Sequence, residues 1–337
     1  MSATEFQQGY ESLLRDAIRE TVLNARDADA DAAAFWWGAL SGLVRSERDE
    51  QILREETAPT QVELDLHLTG EGVTGHATKA NDLAVLIKKL SESTKFVARE
   101  IAGARKWSEN LLVEGVAPGS VRVVIRAPEL PAEPGQLDVD PGESADSKAL
   151  RRVASLLTLA SSDDLAGGDD PLAAAVQGLP KPARESLRLA AQTVVDARWE
   201  VDGTVRRWRE PEVQLRITSR GAKHLRDTLG QKVSKPERVS FVGTLDGFRR
   251  SVGVAFLRPD GEGAAQSVAV ADAGLFIKVA RLAAEEDLPV RAAVEVWQAM
   301  RKNGQPGRVS RRLIHIEALG SQETLGAARS GIVSDAE

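Results

Sequence analysis

Arginine and tryptophan interleave between positions 198 and 209, where Arg198, Trp199, Arg206, Arg207, Trp208 and Arg209 crowd one short stretch. A guanidinium binds phosphate as a bidentate fork, and an indole offers a face on which a base can stack. Two more basic groups follow: Arg249 with Arg250, and Arg301 with Lys302, with Arg308, Arg311 and Arg312 just beyond. The residue types point to an anionic ligand or nucleic acid held by Arg206, Arg207, Trp208, Arg209, Arg249, Arg250, Arg301 and Lys302. The same residues also fit a solvated or protein-facing surface, with Trp199 and Trp208 in the core. A net charge of −6 and 4% aromatic content weigh against a general single-strand binder, which needs a continuous basic groove.

The remaining polar groups carry less chemistry. His67, His76 and Asp65 are a minimal set for a metal ion, and strand register decides whether they share a face. Asp163-Asp164 and Asp169-Asp170 flank a Leu-Ala-Gly-Gly turn, but their spacing does not match a calcium loop, and acids before Pro171 also serve as helix caps. Gly70-Glu71-Gly72-Val73-Thr74-Gly75 has the spacing of a dinucleotide fingerprint. That fingerprint needs a helix opening at the third glycine, whereas a returning strand is expected here. No phosphate-binding P-loop, zinc-protease helix or nucleophile elbow occurs. No catalytic residue, metal or cofactor is assigned. The absence of cysteine excludes disulfides, thiolate metal sites and thiol catalysis.

The elements that must position these groups follow from length, charge and period. A chain of 337 residues with 42% hydrophobic and 28% charged residues can build more than one core. Its charge is uneven. Residues 1–180 hold 18 Lys/Arg against 30 Asp/Glu, residues 181–255 hold 16 against 9, and residues 256–337 hold 10 against 11. A dipole of this kind can attract an anion to the basic middle, or hold the two halves against each other. The first 29 residues have no basic stretch leading into an apolar core, so no signal peptide is expected. The longest apolar run, Ala32 to Val44, falls short of the roughly 20 residues that span a bilayer. It predicts a buried or partner-docking helix, with Phe35, Trp36 and Trp37 as the protein-contact candidates. A cytoplasmic protein with no membrane association is expected.

Helical periods predict helices at 4–30 and 32–56 within an N-terminal unit, 1–58. Val62, Leu64, Leu66 and Leu68 alternate with polar residues as in a half-buried strand. A turn at Gly70–Gly72, a return strand at 73–79, a long helix to about 106 and two further strands make a ββαββ domain at 59–127. A Pro- and acid-rich linker is expected at 128–147. Region 148–236 reads as helices at 147–160 and 181–198, a hairpin at 199–218 and a helix at 221–229. Segment 237–320 reads βββαββ, the order of an OB-like five-stranded barrel; the rival is an open five-stranded sheet with one helix on its face. In OB-folds the loops holding Arg249-Arg250 and Arg301-Lys302 frame the ligand groove. Residues 321–337 read as a disordered tail. The fold class is α+β.

The stretch Val62 to Ile125, with its turn Gly115-Val116-Ala117-Pro118-Gly119-Ser120, resembles a ββαββ domain of uncharacterised bacterial proteins met near phage-defence genes. Val239 to Leu319 resembles the small barrel found with it. The resemblance implies a defence-associated role and carries no catalytic residue over to this chain. The charge map leads to the expectation of a non-enzymatic binding or adaptor protein, its acidic N-terminal half meeting a protein or a second copy of the chain and its basic hairpin and barrel meeting nucleic acid or another anionic ligand. The alternatives are a structural subunit acting only through protein contacts and a metal-dependent enzyme built on the Asp163–Asp170 loop or His67 and His76.

Overall fold

The computed structural model describes residues 3–114, 121–130, 142–161, 171–231, 235–250, 253–259, 264–270, 273–285, 288–300 and 306–319. The Gly115–Ser120 turn, most of the linker, the Asp163–Asp170 loop, Arg301, Lys302 and the tail from Ser321 lie outside them. The described residues form a mixed α+β protein with two five-stranded sheets, one of them closed.

Three helices open the chain: α1 (Ala3–Asp27), α2 (Ala30–Leu43) and α3 (Glu47–Thr57). The single helix expected over 32–56 is two. Val44 leaves the helical region and Ser46 starts the next helix, its hydroxyl accepting from the Asp49 amide at 3.2 Å. A serine in that extended conformation satisfies an amide that a continuous helix would bond internally. Leu14, Ile18, Val22, Leu40 and Ile52 form the small core of this unit.

The next layer is an antiparallel sheet. Strands β1 (Glu63–Gly70), β2 (Leu112–Glu114), β3 (Val121–Arg126), β4 (Trp199–Arg206) and β5 (Val213–Ile217) lie in the order β2-β3-β1-β4-β5. The hairpin β4–β5 thus extends the sheet begun by β1, with Leu66 opposite Gly203. Leu64, Leu66 and Leu68 turn into the core, as their alternation requires. The helices α4 (Ala80–Ile101), α5 (Ala145–Ala160), α7 (Lys181–Asp196) and α8 (Ser219–Leu229) pack on that apolar side. The expected return strand at 73–79 is replaced by a tight turn with one bridge, Thr74 to Ala77. Its cause is local. Gly70 has φ +94° and Gly72 sits so close to Trp199 and the Ala197 carbonyl that the chain folds over the indole. The slot beside β1 is taken by β4.

Helix α6 (Pro171–Gln177), which periodicity did not separate from the preceding loop, joins this layer to the second sheet by packing on α5, β8 (Gln266–Ala269) and β10 (Pro306–Ala318). The second sheet closes as a barrel. Around it run β6 (Glu237–Arg249), β7 (Val254–Pro259), β8, β10 and β9 (Pro289–Met300), with β9 returning to β6. Neighbours are antiparallel except β10 and β8, which pair in parallel. Helix α9 (Ala273–Leu282) lies between the third and fourth strands in sequence, and its Val279 and Leu282 enter the barrel core with Leu257, Val268, Val294 and Ile316.

Candidate functional site

The arginine–tryptophan hairpin uses its polar groups internally. Arg206 donates from Nε to Glu63 Oε1 at 2.8 Å. Arg207 is only 8% exposed; its Nε donates to the Thr60 carbonyl at 2.9 Å and its Nη1 to Glu210 at 2.6 Å. The Trp208 amide donates to the Pro59 carbonyl at 2.8 Å, which ties the hairpin tip to the segment entering β1. Arg209, at φ +58°, places its guanidinium 3.9 Å from the centre of the Trp208 ring, so the indole face is already occupied by a cation. Trp199 is fully buried and donates from Nε1 to Thr78 Oγ1 at 3.1 Å. It is a core residue.

The tip of this hairpin meets α3 across an open cleft of about 440 Å³, lined mainly by Glu47, Glu50, Glu55, Glu210 and Glu212 with Arg54 and Arg206. The basic middle of the chain therefore faces acidic residues of its own fold. Other cations of the sheet and its ends are also paired: Arg122 binds Asp65, Arg198 binds Glu71 at 2.7 Å, and Arg216 lies 3.5 Å from Asp202. Of these pairs, Arg206 with Glu63 and Arg198 with Glu71 join the basic middle to the acidic first half. Asp65 is taken by Arg122, and His67 is exposed on the same strand. Among the described residues no group of three or more His, Asp or Glu is arranged to hold a metal ion.

On the barrel, Arg249 ends β6 with its guanidinium 5.7 Å from the Phe256 ring centre, and Arg250 is exposed in the following turn. The backbone at Arg308 lies in β10. A second cationic group joins the barrel to the rest of the fold. Arg152 on α5 donates to the Gly178 carbonyl at 2.6 Å, and Arg312 on β10 approaches the same glycine. Arg312 also binds Glu295 at 2.6 Å and lies 5.2 Å from the Trp297 ring centre. Burial, the dominant cause, lowers the Arg152 pKa, and the nearby Arg312 charge acts the same way. Sequence reading missed Arg152. Its only signal, an arginine at a core-facing helical position, becomes visible once the helix is docked.

The protein-contact candidates lie on α2. Phe35 is 68% and Trp37 47% exposed, while Trp36 is half-buried. Phe6 and Leu13 on α1, against which α2 packs, are 64% and 72% exposed. No helix among the described residues is long and apolar enough to cross a membrane. No family model, curated protein or solved structure matches the chain.

Proposed function

We propose that the chain is a non-enzymatic binding or adaptor protein that acts through protein contacts, with the α1–α2 face as its docking surface. One observation carries this reading: Phe6, Leu13, Phe35 and Trp37 stand largely in water. Large apolar side chains exposed on neighbouring helices mark interaction sites on soluble proteins. The fold's charged groups favour the same conclusion, since most of the sequence-selected arginines bind partners within the chain. The resemblance to bacterial proteins met near phage-defence genes would make the partner a component of a cytoplasmic defence system. The test replaces Phe35 and Trp37 with serine and follows association by light scattering and by co-purification with co-expressed neighbours. Association lost with an unchanged circular dichroism spectrum is expected. A wild type that is monomeric and binds nothing would overturn the reading.

A second reading, an anionic ligand on the barrel, is favoured by its topology. The strand order first-second-third-fifth-fourth, the parallel pairing of third with fifth and the helix between third and fourth support an OB-like barrel. In such barrels the outer face of the second and third strands holds the ligand. Here Val254 and Phe256 of β7 pack on the main core, and Ala269 of β8 packs on Ala174 of α6. That leaves the rim at Arg249 and Arg250. If the rim binds oligonucleotide, Arg249→Glu with Arg250→Glu lowers affinity and reduces the slope of log affinity against log salt by about 0.7–0.9 for each phosphate no longer neutralised. No wild-type binding at low salt would refute it.

A further inference from the structure

Two guanidiniums from opposite sides of the barrel seam converge on Gly178, the residue that follows α6: Arg152 reaches it from α5 and Arg312 from β10. A side-chain carbon at Gly178 would stand under 3.0 Å from both Arg152 Nη2 and Arg312 Nη1. These two nitrogens are therefore no more than about 6 Å apart, a range at which like charges repel. Gly178 has no positive φ, so what the glycine supplies is room for both cations. Their negative partners are too few. Arg152 donates to a neutral acceptor, the Gly178 carbonyl, and among the described residues no carboxylate pairs with it; Glu100 attracts it only from farther away. Arg312 has Glu295 at 2.6 Å, but that carboxylate also faces Arg238 at 3.5 Å. Arg312 Nε is buried and has no acceptor. Buried charges are ordinarily paired and their donors satisfied, and neither holds in full here. The pair is not sealed off. Arg152 and Gly178 are half-buried and the Arg312 side chain is 25% exposed, so a solute can reach them.

We infer that this seam is an oxyanion site in which Arg152 and Arg312 hold one phosphate group between α5 and β10. A charge-assisted hydrogen bond from a guanidinium to an anionic oxygen spans about 2.7–2.9 Å, so one oxyanion set between the two nitrogens bonds both. A phosphate group presents oxygens toward two forks at once and carries about two negative charges. A single carboxylate satisfies one fork, as Glu295 does for Arg312. Both cations stay charged at any physiological pH, so occupancy follows the ionisation of the ligand. Arg152 belongs to the layered half and Arg312 to the barrel, so the anion would also tie the two together. The site shares no residue with the α1–α2 docking face or with the rim at Arg249 and Arg250, and rests on neither reading.

The probe is inorganic phosphate, titrated into the full chain at fixed ionic strength with chloride as the control. Isothermal titration should give one saturable site. Amide exchange in α6 and β10 should slow with phosphate and not with chloride, because a ligand bound only by the closed seam opposes its opening. Arg152→Gln should raise the phosphate dissociation constant about 10- to 150-fold, the loss expected when a charged hydrogen-bonding partner is removed. Arg152→Lys, which keeps the charge and loses the fork, should fall between it and the wild type. Without phosphate, Arg152→Gln should melt no lower than the wild type, since it removes an unpaired cation beside another. Arg45→Gln removes an exposed charge from the turn between α2 and α3 and should bind phosphate as the wild type does. A dinucleotide with and without a 5′ phosphate separates the sources. Tighter binding of the phosphorylated form than of inorganic phosphate assigns the site to a phosphate monoester on a larger molecule, and equal affinity assigns it to free phosphate. No saturable binding by the wild type overturns the proposal. So does equal binding by Arg152→Gln, or a loss of the same size in Arg45→Gln, which would make the effect one of net charge alone.

Discussion

Glu56→Gln should loosen the N-terminal helical unit at neutral pH and have little effect in acid. The Glu56 side chain is 1% exposed at the end of α3 and accepts from Arg15 Nη1 at 2.7 Å and from Arg19 Nε and Nη2 at 2.8 and 3.0 Å. These three contacts join α3 to α1. A hydrogen bond to a charged group contributes about 1.5–3 kcal/mol. Glutamine keeps one acceptor oxygen, Arg15 keeps Glu55 at 2.6 Å, and both guanidiniums retain some water. The net loss should therefore be about 2–3 kcal/mol rather than the sum of three bonds. Burial alone would raise the Glu56 pKa, but the Arg19 and Arg15 hydrogen bonds outweigh it, so the folded value lies below the ordinary 4.5. The unfolded chain then binds its proton at higher pH than the folded one. The stabilisation is complete above 4.5 and disappears as pH falls through the depressed folded value. The assay is amide hydrogen exchange of α1 and α3, because a chain with several cores need not unfold in one step. At pH 7 the variant should exchange about 30- to 150-fold faster there, with the barrel unchanged. The gap should narrow in acid. Equal protection at pH 7, or an undiminished gap at low pH, would refute the argument. Combining Glu56→Gln with Arg19→Gln should give a loss smaller than the sum of the two.

Two further substitutions probe the elements that hold the rest together. Gly72→Ala would place a methyl carbon 1.8 Å from the Ala197 carbonyl oxygen and 2.8 Å from the Trp199 ring, so the turn over the indole must move. A loss of about 2–3 kcal/mol in urea stability and a shift in tryptophan emission are expected, and a neutral result would refute the packing argument. Arg312→Ala leaves Glu295, whose side chain is 9% exposed, facing the more distant Arg238 at 3.5 Å, and removes the cation beside Trp297. Amide hydrogen exchange in α6 and β8, which pack on each other at the seam between the barrel and the layered half, should accelerate, and unchanged exchange would count against that role for Arg312.

Much of the architecture was legible because its signals are local. The alternation of Leu64, Leu66 and Leu68 marks a strand with one buried face wherever that strand pairs. The periods of α4, α5 and α7 fix their apolar sides, and the βββαββ order left a barrel and a sheet with one helix on its face open, between which the closed pairing of the fold decides. What remained hidden depends on which residues meet across long separations. Arg206 and Glu63 are 143 positions apart, and nothing near either one identifies the other as its partner. An exposed basic hairpin and one neutralised by the strand beside it have the same composition.

By itself, then, the sequence determined most of the elements, the uneven charge and the apolar character of α2, since period and composition are properties of neighbours along the chain. Only the tertiary structure decided that β4 takes the place beside β1, that Arg206 and Arg207 turn inward, and that the outer side of β7 and β8 is covered. Sheet register and helix docking are set by burying apolar area and pairing charges over the whole fold, and that same balance left Phe35 and Trp37 on the surface.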